Sequence, residues 1–152
     1  MNILKEGDTA PNFKGLDQNG NNVELSDFSN KKLILYFYPK DDTPGCTKES
    51  CNLRDNFSKL KSKDFEVLGI SADNSAKHLK FIEKYNLPFS LLADTEKTVI
   101  NEYNCWGLKK FMGKEYDGIL RKTFVIENNK IIKIFDKVKT AGHYEQIMEA
   151  LN

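Results

Sequence analysis

A chain of 152 residues, 39% hydrophobic and 30% charged, has the composition expected of one compact soluble domain. Its 23 basic residues stand against 22 acidic ones, a formal charge of +1, so no strong field exists to gather nucleic acid or an anionic membrane, and neither is an expected partner. The opening residues 1–13 include Lys5, Glu6, Asp8 and Pro11 and no unbroken apolar run, which argues against a secretory signal or membrane anchor and predicts a cytoplasmic protein. There its three cysteines are expected to stay reduced instead of forming a structural disulfide framework. In chain order, residues 13–16 and 23–25 flank Asn19-Gly20 and predict an opening hairpin. Residues 33–38, Leu-Ile-Leu-Tyr-Phe-Tyr, are apolar without alternation, as in a strand covered on both faces. Helical spacing follows at 45–61, a strand at Phe65–Ser71, a helix at Ser75–Tyr85, a short strand at 90–92 and a helix at 96–103. Strands at 123–127 and 130–136 flank Asn128-Asn129 as an antiparallel pair, and a last helix covers 142–151.

Strands that alternate with helices require a mostly parallel central sheet flanked by helices, to which the late hairpin adds an antiparallel partner. With the N-terminal β-hairpin this is a thioredoxin-like α/β fold. No repeat, low-complexity segment or linker divides it, so residues 1–152 are expected to form a single domain.

The chemistry is concentrated just after the apolar strand, in Tyr38-Pro39-Lys40-Asp41-Asp42-Thr43-Pro44-Gly45-Cys46-Thr47. Pro44 suits the first position of a helix, because its missing N–H would have had no partner there anyway. Cys46 then falls in the first helical turn, where free backbone N–H groups and the positive end of the helix dipole favour a thiolate, the nucleophilic form. Asp41 and Asp42 read as loop acids.

Pro39-x3-Thr43-x2-Cys46 resembles the signature of the peroxiredoxins. The stretch 38–51, the strand segment Val67-Leu68-Gly69-Ile70-Ser71, Phe111-Met112-Gly113-Lys114 and Arg121-x-Thr123-Phe124 are similar to the bacterioferritin comigratory protein, or PrxQ, subfamily, and the likeness covers nearly the whole chain. It implies a thioredoxin-dependent peroxidase acting on hydrogen peroxide and organic hydroperoxides, with Cys46 as peroxidatic nucleophile. Thiolate attack on one peroxide oxygen pushes charge onto the other, so fixed donors must stand where that charge develops, and the Gly45 and Cys46 N–H groups can serve. The resemblance assigns the Thr43 hydroxyl to the peroxide, Pro39 to shielding the thiolate, and Arg121 to supplying permanent positive charge. Only Arg54 and Arg121 are Arg among 23 basic residues, which suits a site where a planar, always-charged fork is irreplaceable. Arg54 reads as a solvated helix residue. Glu49 has two readings of equal weight, orienting Arg121 or favouring the helix N-terminus.

The subfamily often places its resolving cysteine five residues after the first, which implies that Cys51 converts the Cys46 sulfenic acid to an intramolecular disulfide. The alternative is an inert buried thiol. Residues five apart on one helix have Cα atoms about 8.7 Å apart, beyond the about 7 Å a disulfide tolerates, so the bond requires local melting. Cys105 is expected only to pack, with resolution as its alternative. Thioredoxin is the expected reductant, glutaredoxin its alternative, and a monomer the expected state with a dimer as alternative. Sulfur carries both electrons, so no metal, haem or flavin is implied, and His78 and His143 form no ligand pair; His143 reads as a residue near a helix start. Trp106 and Phe111 are expected to pack in the core, with a role in admitting bulkier hydroperoxides or the reductant as the other reading. The competing functions are a thioredoxin-like disulfide oxidoreductase, which would normally show Cys-x2-Cys where four residues here separate the cysteines, and a redox-stress interaction protein without peroxide turnover.

Overall fold

The apolar run at 33–38 builds β3 (Lys32–Phe37), an interior strand of a seven-stranded sheet in a computed structural model that describes residues 3–151. Met1, Asn2 and Asn152, which the single-domain expectation includes, lie outside the described residues. Side chains alternate across a strand, and here both sets are buried: Leu33, Leu35 and Phe37 join one core cluster, while Ile34, Tyr36 and Tyr38 join another. Ile34, Leu35, Leu53 and Leu60 are each 0% exposed, and each such side chain contributes roughly 2 kcal/mol of transfer free energy. The sheet therefore has a core on each side.

The remaining strands are β1 (Lys14–Leu16), β2 (Asn22–Glu24), β4 (Phe65–Ser71), β5 (Ser90–Ala93), β6 (Trp106–Phe111), β7 (Lys114–Ile119), β8 (Lys122–Glu127) and β9 (Lys130–Phe135). The helices are α1 (Pro44–Asp55), α2 (Phe57–Ser62), α3 (Ser75–Tyr85), α4 (Thr98–Glu102) and α5 (His143–Leu151). In the order β2-β1-β5-β4-β3-β8-β9, β3 pairs parallel with β4 and β4 with β5, while every other pairing is antiparallel. The α/β architecture matches expectation, but the sheet is mixed, and its parallel part is confined to the centre. Antiparallel pairing comes from both sides: β8 and β9 on one, and on the other β1, which pairs antiparallel with β5 at Leu16 and Ala93 and so adds the opening hairpin to the sheet edge. Helices α1, α2, α3 and α5 supply Leu53, Leu60, Phe81 and Ile147 to one core cluster, and α4 supplies Val99 and Ile100 to the other.

Turn chemistry follows the residues that permit it. Asn128 and Asn129 have φ of 53° and 64° between β8 and β9, as a tight hairpin turn requires. Gly69 on β4 has a different reason: a Cβ there would lie 2.7 Å from Tyr36 Cζ and 2.7 Å from Leu91 Cδ2, so the Tyr36 ring occupies the space a side chain would need.

Two expectations need correction. The single helix over 45–61 is divided at Asn56 (φ −112°, ψ 10°), whose side-chain amide donates to the Asn52 carbonyl at 2.9 Å. Residues 106–119 form an unforeseen hairpin, β6 with β7, outside the main sheet. Trp106 and Phe111 do not pack in the core, being 37% and 65% exposed.

Candidate active site

β3 leads into the loop that carries Pro39, and the loop is held from below by a residue that reads in sequence as a plain acid. Asp41 is largely buried: one carboxylate oxygen accepts from Tyr38 Oη and the other lies 2.7 Å from His78 Nδ1 on α3. Its backbone N–H donates to Asp73 Oδ2 at 2.8 Å, and His78 Nε2 faces the Leu92 carbonyl at 3.0 Å. Asp41, Asp73 and His78 bring possible ligand atoms within 4.8 Å of one another. Each of the three is nonetheless engaged by protein hydrogen bonds, which makes the cluster an anchor for the loop. Asp42, at φ 58°, accepts from Lys84 and Tyr85 on the surface.

Thr43 then caps α1 with extended backbone (φ −99°, ψ 155°), Pro44 takes the first position, and the Thr47 N–H closes the first turn on the Thr43 carbonyl at 2.8 Å. The N–H groups of Gly45 and Cys46 have no partner within such a turn. The Thr43 hydroxyl donates to the Lys40 carbonyl at 2.8 Å, which leaves its oxygen able to act as an acceptor. Cys46 is 1% exposed, whereas Pro39, Thr43 and Gly45 in the preceding loop and helix start are half-buried.

Arg121, in the connection from β7 to β8, spans the site. Its Nη2 donates to Cys46 Sγ at 3.1 Å and its Nη1 to Glu49 Oε1 at 2.7 Å. A fixed guanidinium against sulfur stabilises negative charge there. Gly45 permits this approach, since a Cβ would lie 3.3 Å from Arg121 Nη2. Of the two readings of Glu49, the structure shows the contact with Arg121. Burial pushes the Glu49 carboxyl up to about 7 despite the opposing pull of Arg121.

Sequence reasoning missed three contributors. His143, 0% exposed, accepts the Thr123 hydroxyl or donates to it at 2.8 Å and stands 3.7 Å from Glu49 Oε2. Lys109 on β6 donates to the Ile119 carbonyl at 2.9 Å; burial and the nearby Arg121 lower its pKa, while Cys46 raises it. Asp41 is the third. Their partners are remote in sequence, and only the unusual placement of a His at a helix start hinted at one of them.

The other thiols differ from Cys46. Cys51 lies on the same unbroken α1 and is half-buried; burial raises its pKa, with Arg54 opposing. Cys105 is fully buried, its Sγ donates to the Tyr103 carbonyl at 3.4 Å, and burial pushes its pKa far upward. All three are free thiols.

Among the described residues no helix is long and apolar enough to cross a membrane. Comparison with known proteins bears on this geometry. The model of the AhpC/TSA family matches residues 6–135. Peroxiredoxin Bcp of Escherichia coli (strain K12) is 47% identical over 152 residues, covering 99% of this chain and 97% of the relative. Among solved structures, a mutant of Xylella fastidiosa PrxQ superposes with a TM-score of 0.91 at 29% identity, covering 99% of this chain and 97% of that one. The Xanthomonas campestris bacterioferritin comigratory protein, described with an alkyl peroxide reduction activity, superposes with a TM-score of 0.84 at 28% identity, covering 91% and 89% of the two chains. The chain accordingly belongs to the AhpC/TSA family, as a peroxiredoxin of the Bcp/PrxQ kind, an enzyme that reduces peroxides at the expense of thiols.

Proposed function

We propose that Cys46 is the peroxidatic nucleophile, that Cys51 resolves its sulfenic acid, and that thioredoxin returns the protein to the dithiol. The observation that carries this reading is the 3.1 Å contact from Arg121 Nη2 to Cys46 Sγ in the first turn of α1. The Cys46 thiolate attacks one peroxide oxygen, the O–O bond breaks, and its electron pair leaves on the other oxygen. Arg121 and the Gly45 and Cys46 N–H groups face that charge, Thr43 Oγ1 accepts the peroxide hydroxyl proton in a hydrogen bond, and Pro39 keeps bulk water from the sulfur. The Cys51 thiol then condenses with the sulfenic acid, water departs and a disulfide forms. Because both cysteines lie on α1, its first turns unwind before the sulfurs meet. Hydrogen peroxide and organic hydroperoxides are the substrates; the alkyl peroxide reduction of the Xanthomonas campestris relative supports the second class. The chain acts as a single cytoplasmic domain and a monomer.

The test is peroxide consumption coupled to thioredoxin, thioredoxin reductase and NADPH. Cys46→Ser abolishes even a single turnover. Cys51→Ser preserves sulfenic acid formation and stops recycling, while Cys105→Ser changes little. Full recycling without Cys51 refutes its assignment.

A further inference from the structure

Behind the guanidinium that holds Cys46, two buried groups face each other without a hydrogen bond. Glu49 and His143 are both 0% exposed. Glu49 Oε1 accepts from Arg121, but Oε2 has no hydrogen-bond partner and lies 3.7 Å from His143 Nε2. The surroundings of the imidazole fix its tautomer. Gln146 Nε2 donates to the Lys137 carbonyl and Gln146 Oε1 accepts from the Lys139 N–H, so the oxygen is what faces His143 Nδ1 at 2.9 Å. Nδ1 therefore carries the proton, and Nε2 presents its lone pair toward the Thr123 hydroxyl and Glu49 Oε2. Burial holds the imidazole neutral, its pKa lowered to about 4.

Two lone-pair atoms opposed in a dry interior are unfavourable, and a proton on Oε2 removes the conflict. Rotation of the carboxyl closes the gap, and Nε2 accepts the new bond in place of the Thr123 hydroxyl, which can turn. The charge count agrees. The groups around Glu49 are Cys46 on α1, Arg121 before β8, His143 on α5 and the phenol of Tyr36 on β3, whose pKa burial raises well above its usual value. Lys109 faces Arg121 and Cys46 from β6. With Tyr36 and His143 neutral, Arg121 alone lies between two groups that could each be an anion, and a thiolate at Cys46 favours a neutral Glu49.

We propose that while Cys46 is a thiolate Glu49 carries a proton on Oε2, held toward His143 Nε2, and that oxidation of Cys46 releases it. The inference rests on the peroxidatic role of Cys46 given above. In the balanced step, the Cys46 thiolate, a hydroperoxide and the Glu49 carboxylic acid become the Cys46 sulfenic acid, an alcohol and the Glu49 carboxylate. Sulfur loses two electrons, the broken O–O bond receives them, the alkoxide gains one proton and Glu49 gives one up. Once the sulfur is neutral, Arg121 has a single anion to stabilise. His143 is a positioning residue that acts through Glu49.

The test uses the Cys51→Ser protein, so that chemistry stops at the sulfenic acid, mixed with tert-butyl hydroperoxide in weak buffer just below pH 7 with an indicator dye. Mass spectrometry counts oxygen added to Cys46. With Glu49 present, oxidation should draw fewer protons from solvent than with Glu49→Gln, by up to one per sulfur oxidised. His143→Leu, which removes the acceptor for the protonated carboxyl, should move the pH at which the two counts converge to lower pH. Equal counts with and without Glu49, at equal oxygen incorporation, overturn the proposal. No oxygen on Cys46 in the parent overturns the assignment of Cys46 instead. Should Glu49→Gln fail to fold or react, difference infrared spectra of the parent decide: a protonated-carboxyl band lost on oxidation supports the proposal, and an unchanged spectrum refutes it.

Discussion

The Glu49–His143 pair should leave a signature in stability that appears only when the pair is divided. Glu49 ionises at about 7 in the folded chain against an ordinary 4.5, and His143 at about 4 against 6.5. At 1.36 kcal/mol per pH unit, each difference corresponds to about 3 kcal/mol. Between about pH 4.5 and 6.5 the unfolded chain has an ionised Glu49 and a protonated His143, whereas the folded chain has a protonated Glu49 and a neutral His143. Both states then bind one proton, on different residues, so the pair adds no pH slope. Glu49→Gln leaves only His143, whose depressed pKa contributes stability that is present above 6.5 and lost as pH falls through about 4. His143→Gln leaves only Glu49, whose raised pKa contributes stability that is full below 4.5 and lost as pH rises toward 7. Urea unfolding followed by circular dichroism, from pH 4.5 to 7, reads both. Relative to wild type, the first variant gains and the second loses stability with rising pH, each by up to about 3 kcal/mol. Parallel stability curves for all three proteins refute the reasoning.

Arg121→Lys keeps the charge but loses the fork that bridges Cys46 and Glu49, and the rate of peroxide reduction should fall about 10²-fold, measured by single-turnover kinetics. Gly69→Ala forces a methyl against Tyr36 and Leu91 and should cost about 1–3 kcal/mol in urea unfolding, with the Cys46 reaction retained in the folded fraction. Backbone hydrogen exchange across residues 46–52 should rise sharply in the disulfide form relative to the reduced form, and equal protection in both would refute unwinding of α1.

What could be read from the sequence was whatever depends on neighbours in the chain. The run at 33–38 is apolar on both faces because both faces of β3 are covered, and Pro44 sets the start of α1 close enough to place Cys46 in its first turn. The β6–β7 hairpin was not legible because Lys109, Lys110, Lys114, Glu115 and Asp117 break any apolar period, and its apolar residues Leu108, Phe111 and Tyr116 point to solvent. Asp41 and His143 depend on distant partners. Asp41 meets His78 37 residues away, and His143 meets Thr123 20 residues away, so neither pairing leaves a local pattern. A Glu one turn after Cys46 carried half of its meaning in sequence; the other half, Arg121, arrives from 72 residues downstream.

The contacts that hold the reduced site together also explain why it can come apart. Arg121 ties two residues of α1, Cys46 and Glu49, to the start of β8, and its hold on Cys46 is strongest while the sulfur is an anion. On the proposed mechanism, oxidation to the sulfenic acid removes the charge at the Cys46 end of the clamp, whereas the Asp41–His78 anchor beneath the loop does not involve the sulfur. The first turn of α1 is thus the part of the site whose restraint weakens, and it is the part that must unwind if Cys46 and Cys51 are to meet. On the same mechanism Cys51 waits as a thiol, the form that its partial burial favours. On this account Arg121→Lys should weaken the clamp in the reduced protein too, so that hydrogen exchange in residues 46–52 of the reduced variant rises toward that of the wild-type disulfide form. Unchanged protection in that variant would separate the clamp from the unwinding and leave α1 melting to the disulfide alone.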